Sequence, residues 1–358
     1  MHLPVVEDDP RLARSLSRLL SEDRHVVELA MTGREGLDLA LGATGSMRSV
    51  DGRRRSEVRE GIRMSGLLSR IAGGPITWGV TGSSETSPQM DRERVLQEMA
   101  EVGLSATELG PDGFLPSDPD ELRDFVSARG LRIAGGFVPA VLHRQDRFDA
   151  DLGYFERASR QLAAVGGDVL VLGPDSHLDG PDTSFELDEA EWTTLLVNLR
   201  RLEDLVAAHG LRTALHPHWG MAIERSAHVD RLMSSSDVDL CLDTGHLFLG
   251  GADPVEIARR APERVIHVHL KDVDAGLAEQ LRAGALTFDQ AVQRGLFTPL
   301  GRGTVDVAGV AEVLERNGFR GWYVLEQDTA LDAIPARGEG PVVAARLSVE
   351  FLGSLALA

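Results

Sequence analysis

Eight short apolar runs alternate with amphipathic helical stretches from about residue 75 to residue 326, and this alternation constrains the fold more than any other feature of the chain. The runs are residues 76–80, 105–110, 131–138, 168–173, 212–218, 238–243, 264–270 and 322–326. Between them lie helical patterns such as residues 92–103, 118–130, 187–210 and 305–318, each closed by a glycine of the kind that terminates helices. Buried parallel strands read as such continuous runs, and eight βα units suit one (β/α)₈ barrel. A doubly wound sheet is the competing architecture. It gives no reason for the ends of nonadjacent strands to supply one set of ligands.

Four of the runs end in metal-type side chains. Residues 214–218 (ALHPH), 240–246 (LCLDTGH), 265–272 (VIHVHLKD) and 323–328 (YVLEQD) carry His216, His218, Asp243, His246, His267, His269, Lys271 and Glu326. Successive side chains of a strand face opposite ways, so His216 shares a face with His218, and His267 with His269 and Lys271. A barrel gathers strand C-termini at one mouth, where such groups would meet. A lone histidine is more often a satisfied core group, but four such strand ends together point to a metal-dependent enzyme. Trp78 and Glu108 are expected at the ends of the first two strands, near a substrate. An inward carboxylate such as Glu108 has no packing rationale.

Composition narrows the function classes. The chain has 358 residues, 42% hydrophobic and 26% charged, as expected of a globular protein with room for one large domain and an appendage. Its net charge of −19 argues against nucleic acid or an anionic membrane as partner. The single cysteine, Cys241, excludes an intrachain disulfide and a Cys-based zinc site, which suggests a cytoplasmic setting. No apolar stretch approaches the roughly 20 residues of a membrane helix, and the N-terminus lacks a basic signal region. Gly301 and Gly303 are followed by no Lys-bearing helix start, so no phosphate cradle is expected.

The chain from residue 75 to residue 330 resembles the inosose (2-keto-myo-inositol) dehydratases of the xylose-isomerase-like superfamily of sugar isomerases and epimerases. The resemblance rests on ITWGV (76–80), EMAEVGLSATELG (98–110), HPHWG (216–220), LDTGHLFLGGADP (242–254), HVHLKDVD (267–274), FTPLGRGTVD (297–306) and GWYVLEQD (321–328). It implies a barrel spanning residues 71–358 that holds one divalent metal. Asp243, His269 and Glu326 match superfamily ligands, and His246 matches a substrate-contacting histidine. The fourth ligand is His216 or His218, where the isomerases and epimerases carry a glutamate. Such a set suits Mn²⁺ or Co²⁺, with Zn²⁺ also acceptable and Mg²⁺ disfavoured.

The implied reaction is dehydration of a cyclic 2-keto polyol in inositol catabolism. Glu326 is the candidate base, and an imidazole of His216, His218 or His246 the acid. Lys271 contacts substrate or enolate, or else pairs with Asp272 or Asp328. Asp175 and His177 stand on the loop after the fourth strand, where the match is loose and the substrate less defined. The alternatives are a ketose or sugar epimerase or isomerase, and a non-catalytic sensor. A homo-oligomer is left open.

The sensor reading comes from residues 1–41, which resemble the start of a response-regulator receiver, with Glu7, Asp8 and Asp9 as its acidic cluster. No strand ending in a phosphoacceptor Asp follows. Residues 1–70 are therefore expected to be a poorly packed fragment and linker, with Met64 as an alternative start. The basic residues Arg53, Arg54 and Arg55 read as a solvated linker.

Overall fold

The computed structural model describes residues 2–6, 26–30, 66–82, 88–178, 180–183 and 185–357. Its chain contacts divide it into two units, residues 1–59 and 60–358. In the first, β1 (His2–Val6) and β2 (Val26–Ala30) pair in parallel. The acidic residues Glu7, Asp8 and Asp9 and the basic run Arg53–Arg55 lie outside the described residues.

The second unit contains a closed parallel barrel. Its strands are β3 (Ile71–Gly73), β4 (Ala106–Glu108), β5 (Arg132–Ala140), β6 (Val169–Pro174), β7 (Arg212–Leu215), β8 (Asp239–Asp243), β9 (Val265–Leu270) and β12 (Tyr323–Leu325). They pair in chain order, and β12 closes onto both β9 and β3. A two-residue antiparallel pair, β10 (Asp272–Val273) with β11 (Phe297–Thr298), follows β9. Helices α1 (Arg92–Glu101), α2 (Pro119–Ser127), α3 (Gln145–Ala164), α4 (Glu189–Ala207) and α5 (Ser226–Ser235) follow the first five barrel strands. After β8 come α6 (Thr244–Leu249) and α7 (Pro254–Arg260). The later helices are α8 (Ala275–Arg282), α9 (Phe288–Gln293), α10 (Val307–Arg316) and α11 (Pro341–Leu357).

Local chemistry sets these boundaries. Asp91, Asp118 and Asp188 cap α1, α2 and α4 by accepting backbone N–H bonds, and Asp188 with Glu191 forms a reciprocal capping box. Gly210, which ends the α4 turn, has φ +77°, a conformation that costs a side-chain-bearing residue. Inside the barrel, Ala72, Ala106, Ala134 and Val324 pack from β3, β4, β5 and β12, while Val169, Val171, Ala214, Cys241 and Ile266 fill the opposite side. Small residues on the first side leave space for the long polar side chains above them.

The first barrel strand is Ile71–Gly73, not residues 76–80 as expected. Pro75 lacks an N–H for the ladder, and Pro75–Trp78 winds instead into a 3₁₀ turn ended by Gly79 at φ +75°. Trp78 is consequently fully buried away from the mouth, its Nε1 donating to Glu98 Oε2 at 2.9 Å. This corrects its expected place beside the substrate. β7 likewise stops at Leu215, so His216 and His218 stand on the segment beyond its end.

Candidate metal centre

Asp243 is the residue around which the site is built. It is fully buried at the junction of β8 and α6, where its Oδ1 caps the helix by accepting from His246 N at 2.7 Å. That bond fixes the carboxylate and leaves Oδ2 without a hydrogen-bond partner among the described residues. His216 Nε2 stands 3.3 Å from Oδ2 and 3.0 Å from His269 Nδ1, and His269 Nδ1 stands 3.7 Å from Oδ2. Glu326, the residue after β12, brings Oε2 against His269 Nδ1, and this oxygen too has no partner of hydrogen-bond geometry among the described residues. Donor atoms of His216, Asp243, His269 and Glu326 all lie within 4.8 Å of one another.

Those separations suit a metal better than a network of mutual bonds. Donors about 2.1 Å from a tetrahedral ion lie about 3.4 Å apart, which the measured gaps bracket. Two buried carboxylate oxygens without donors are costly unless a cation receives them. A divalent ion therefore fits these residues. Cys241 also approaches His216 and His269. Burial pushes its thiol up to about 12, so it remains protonated and a poor ligand.

Glu108 supports this cluster from inside the barrel. One of its oxygens, Oε1, accepts from His267 Nε2 at 2.8 Å and His269 Nε2 at 3.0 Å. A carboxylate on the far nitrogen of a ligand imidazole orients the ring and raises its basicity. Burial works against ionisation of Glu108, but the charge on His269 and the bonds from both imidazoles outweigh it and bring the carboxyl to about 2. Burial also opposes a charge on His269, against Cys241, Glu326 and Glu108, which hold it well above the usual histidine range. Because Cys241 stays neutral, the two carboxylates carry that effect. In the metal-free protein an imidazolium occupies the centre of a cluster that attracts cations.

The depressed carboxyl of Glu108 gives a pH signature. Its contribution to stability is fully present above the ordinary value of 4.5 and is lost as pH falls towards about 2. Metal-free Glu108→Gln is thus expected to be less stable than the native chain by its full margin at pH 5, and the margin should narrow as pH falls below 4.5. Denaturant titrations across that range test it, and a margin that widens in acid would contradict it.

Lys271 is 1% exposed, with Nζ bonded to Asp328 Oδ1 and 3.2 Å from Glu326 Oε2 and 3.9 Å from Asp243 Oδ2. Burial alone would discharge it, but these carboxylates, Asp328 foremost, raise it above the usual lysine range. The partner is thus Asp328. Asp272 instead accepts from the N–H groups of Val273, Gly301, Gly303 and Val305, which ties the 299–305 loop to β10. A Cβ at Gly303 would stand 2.3 Å from Asp272 Oδ1, and one at Gly301, which has φ +78°, would stand 2.4 Å from the Phe351 ring, so each glycine of PLGRG has a packing reason.

His218 does not join the metal donors, which corrects its candidacy as a ligand. The chain turns after Pro217, and His218 Nδ1 lies 2.6 Å from Trp219 O, its ring centred 3.7 Å from that of His246 and tilted 32° to it. Trp219 N donates to His246 Nδ1 at 3.3 Å. Trp219 thereby sets both tautomers, through its C=O and its N–H: His218 carries its proton on Nδ1 and His246 on Nε2, where no described residue accepts it. Burial, reinforced by His216, lowers His218 to about 3, and burial holds His246 well below the usual range, so both rings are neutral near pH 7.

Glu108, His216, His218 and Glu326 line one wall of a cavity of about 430 Å³. Its other walls include Phe137, Tyr154 and Asp112, which sequence reading missed because they lie on a strand face, a helix flank and a loop with no motif. Asp175 and His177 stand apart: Asp175 Oδ1 accepts from His177 N, and His177 Nδ1 lies 2.7 Å from Nε2 of buried His143, another residue not anticipated.

A closed barrel with this donor cluster at its mouth defines a xylose isomerase-like TIM barrel, and the sequence model of that family matches residues 96–352. The inosose dehydratase of Lacticaseibacillus casei is 31% identical over 264 residues, covering 71% of this chain and 88% of that one. For the enzyme of Geobacillus thermodenitrificans (strain NG80-2) the identity is 34% over 269 residues, covering 72% and 89%. The chain belongs to the inosose dehydratase family of xylose isomerase-like barrels. Among solved structures, IolI protein with a binding zinc atom shares the fold at TM-score 0.62 and 15% identity, covering 80% of this chain and 98% of that one. L-ribulose 3-epimerase does so at TM-score 0.60 and 17% identity, covering 80% and 94%. The likeness of residues 1–41 to a receiver gains no support from these comparisons.

Proposed function

We propose that this protein is a metal-dependent lyase that removes water from a cyclic 2-keto polyol such as 2-keto-myo-inositol. The observation that carries the reading is His216 beside Asp243, His269 and Glu326, in a chain about one-third identical to inosose dehydratases. These four residues would hold one divalent ion, Mn²⁺ or Co²⁺ in preference to Zn²⁺, since two imidazoles and two carboxylates offer mixed hardness. When bound, such an ion polarises the ketone and acidifies its α-hydrogen.

The chain's own groups divide the proton transfers. Glu326, through the carboxylate oxygen that the ion would leave free, is the proton acceptor at the α-carbon. His218 presents a lone pair at Nε2, suited to receive a hydroxyl. His246 holds an Nε2 proton that no described residue accepts and is the donor for the departing hydroxyl. Lys271 stabilises negative charge on the enolate oxygen. Two-faced epimerisation requires a base on each side of the carbon, and superfamily epimerases use two glutamates; here the fifth barrel strand leads to His216 instead.

No helix among the described residues is long and apolar enough to cross a membrane, in keeping with a small-molecule enzyme of the cytoplasm. Mass analysis of 2-keto-myo-inositol incubated with Mn²⁺-loaded protein is expected to show loss of one water. An epimer or aldose–ketose isomer with no dehydrated dione would replace this reading with the epimerase. In His216→Glu, which restores the second carboxylate, epimer formation should rise at the expense of dehydration, and an unchanged product ratio would dissociate that residue from reaction type.

A further inference from the structure

A second cavity, of about 280 Å³, lies on the far side of one wall of the catalytic cavity. Both are lined by Gly110, Pro111, Asp112, Phe137 and Tyr154. Resting on the reading of the catalytic cavity given above, we infer that the second cavity is a subsite for a neutral hydroxylated ring carried as a substituent on the cyclic keto polyol.

The lining is built for such a group. Tyr154, Arg157 and Gln161 follow one another at intervals of three and four residues on α3, so they form one stripe along the helix flank. That stripe runs beside the apolar face on which Phe148, Phe155 and Leu162 enter the core. The Arg157 guanidinium, the Gln161 amide and the Tyr154 hydroxyl make no hydrogen bond to a described residue, and Ser117 adds a hydroxyl from the loop before α2. Donors and acceptors of both kinds, over an inner wall of Leu109, Leu115 and Leu162, match a sugar ring with hydroxyls at its rim and C–H groups on its face.

The dividing wall is formed by two aromatic side chains, Phe137 and Tyr154. Phe137 is held in place: a Cβ on Gly173 would meet its ring at 2.3 Å, so that glycine accommodates it. Tyr154 packs on the core beside Phe155, and its half-buried phenol makes no hydrogen bond to a described residue, which leaves the hydroxyl available to a linkage passing between the cavities. Asp112 lines both cavities with Tyr154, and after burial its charge contributes to raising the phenol. An anionic substituent would meet that carboxylate, so a phosphate is disfavoured despite Arg157.

The test compares two unreactive probes by calorimetry on the full Mn²⁺-loaded chain: myo-inositol and a glucosyl-myo-inositol. The glucosylated probe should bind about tenfold more tightly, and Arg157→Ala and Gln161→Ala should each remove most of that difference. Equal affinities in the native chain, or variants that weaken both probes alike, would overturn the subsite. Neither probe carries a ketone, so this outcome is independent of whether 2-keto-myo-inositol loses water.

Discussion

Asp243→Ala should abolish metal retention and turnover together, the largest effect expected of any single substitution in this chain. The argument lies in the two jobs of one carboxylate. Oδ1 caps α6 through His246 N, and Oδ2 is the unpartnered oxygen facing His216 and His269. Alanine removes a ligand, and it also releases the turn that places His246. Loss of one capping bond costs about 1 kcal/mol, too little to unfold a barrel of this size, so the folded variant can be assayed. Bound metal after dialysis should fall below one-tenth of the native content, and activity by about 10³-fold or more. Asp243→Asn separates the jobs, since an amide oxygen can still cap the helix while the anionic ligand is gone. Full metal content in either variant would remove Asp243 from the donor set.

How far the sequence reveals this site depends on the kind of signal each residue carries. The strand ends are legible because parallel barrel strands are apolar on both faces, so a histidine or carboxylate ending such a run stands out. Asp243, His269 and Glu326 are read this way, and so is the helix stop at Gly210. Local periodicity could not decide whether His216 or His218 joins them. Alternation puts both on one face, but β7 stops at Leu215, and the turn stabilised by Trp219 then carries His218 away. The first strand is misplaced for a related reason, since an apolar run through residues 76–80 reads as extended, while Pro75 and Gly79 allow only a short turn. Glu108 is recognised as an inward carboxylate, but its bond to two imidazoles depends on β4 and β9, which are 159 residues apart at the closest bonded pair. Tyr154, Arg157 and Gln161 carry the weakest signal, because a polar helix flank looks the same whether it faces solvent or a cavity.

Lys271→Met should leave the metal in place and slow the reaction about 10²- to 10⁴-fold, mostly in kcat. Nζ lies beyond the four metal donors, so its removal subtracts no ligand. What it subtracts is the one buried lysine among Asp243, Glu326 and Asp328, with the ring of Phe297 centred 5.1 Å away. Breaking a buried ion pair from one side costs about 3–5 kcal/mol, because the remaining carboxylate stays desolvated. Metal-free Lys271→Met should therefore melt well below the native chain, and bound metal should recover part of the loss by neutralising Glu326 and Asp243. A merely structural lysine and a reacting one are separated by the double variant Lys271→Met with Asp328→Asn. That pair removes both charges and should restore much of the stability, since neither partner is left uncompensated. Turnover should stay low if Lys271 stabilises the enolate, and recovery of turnover along with stability would confine Lys271 to holding Asp328.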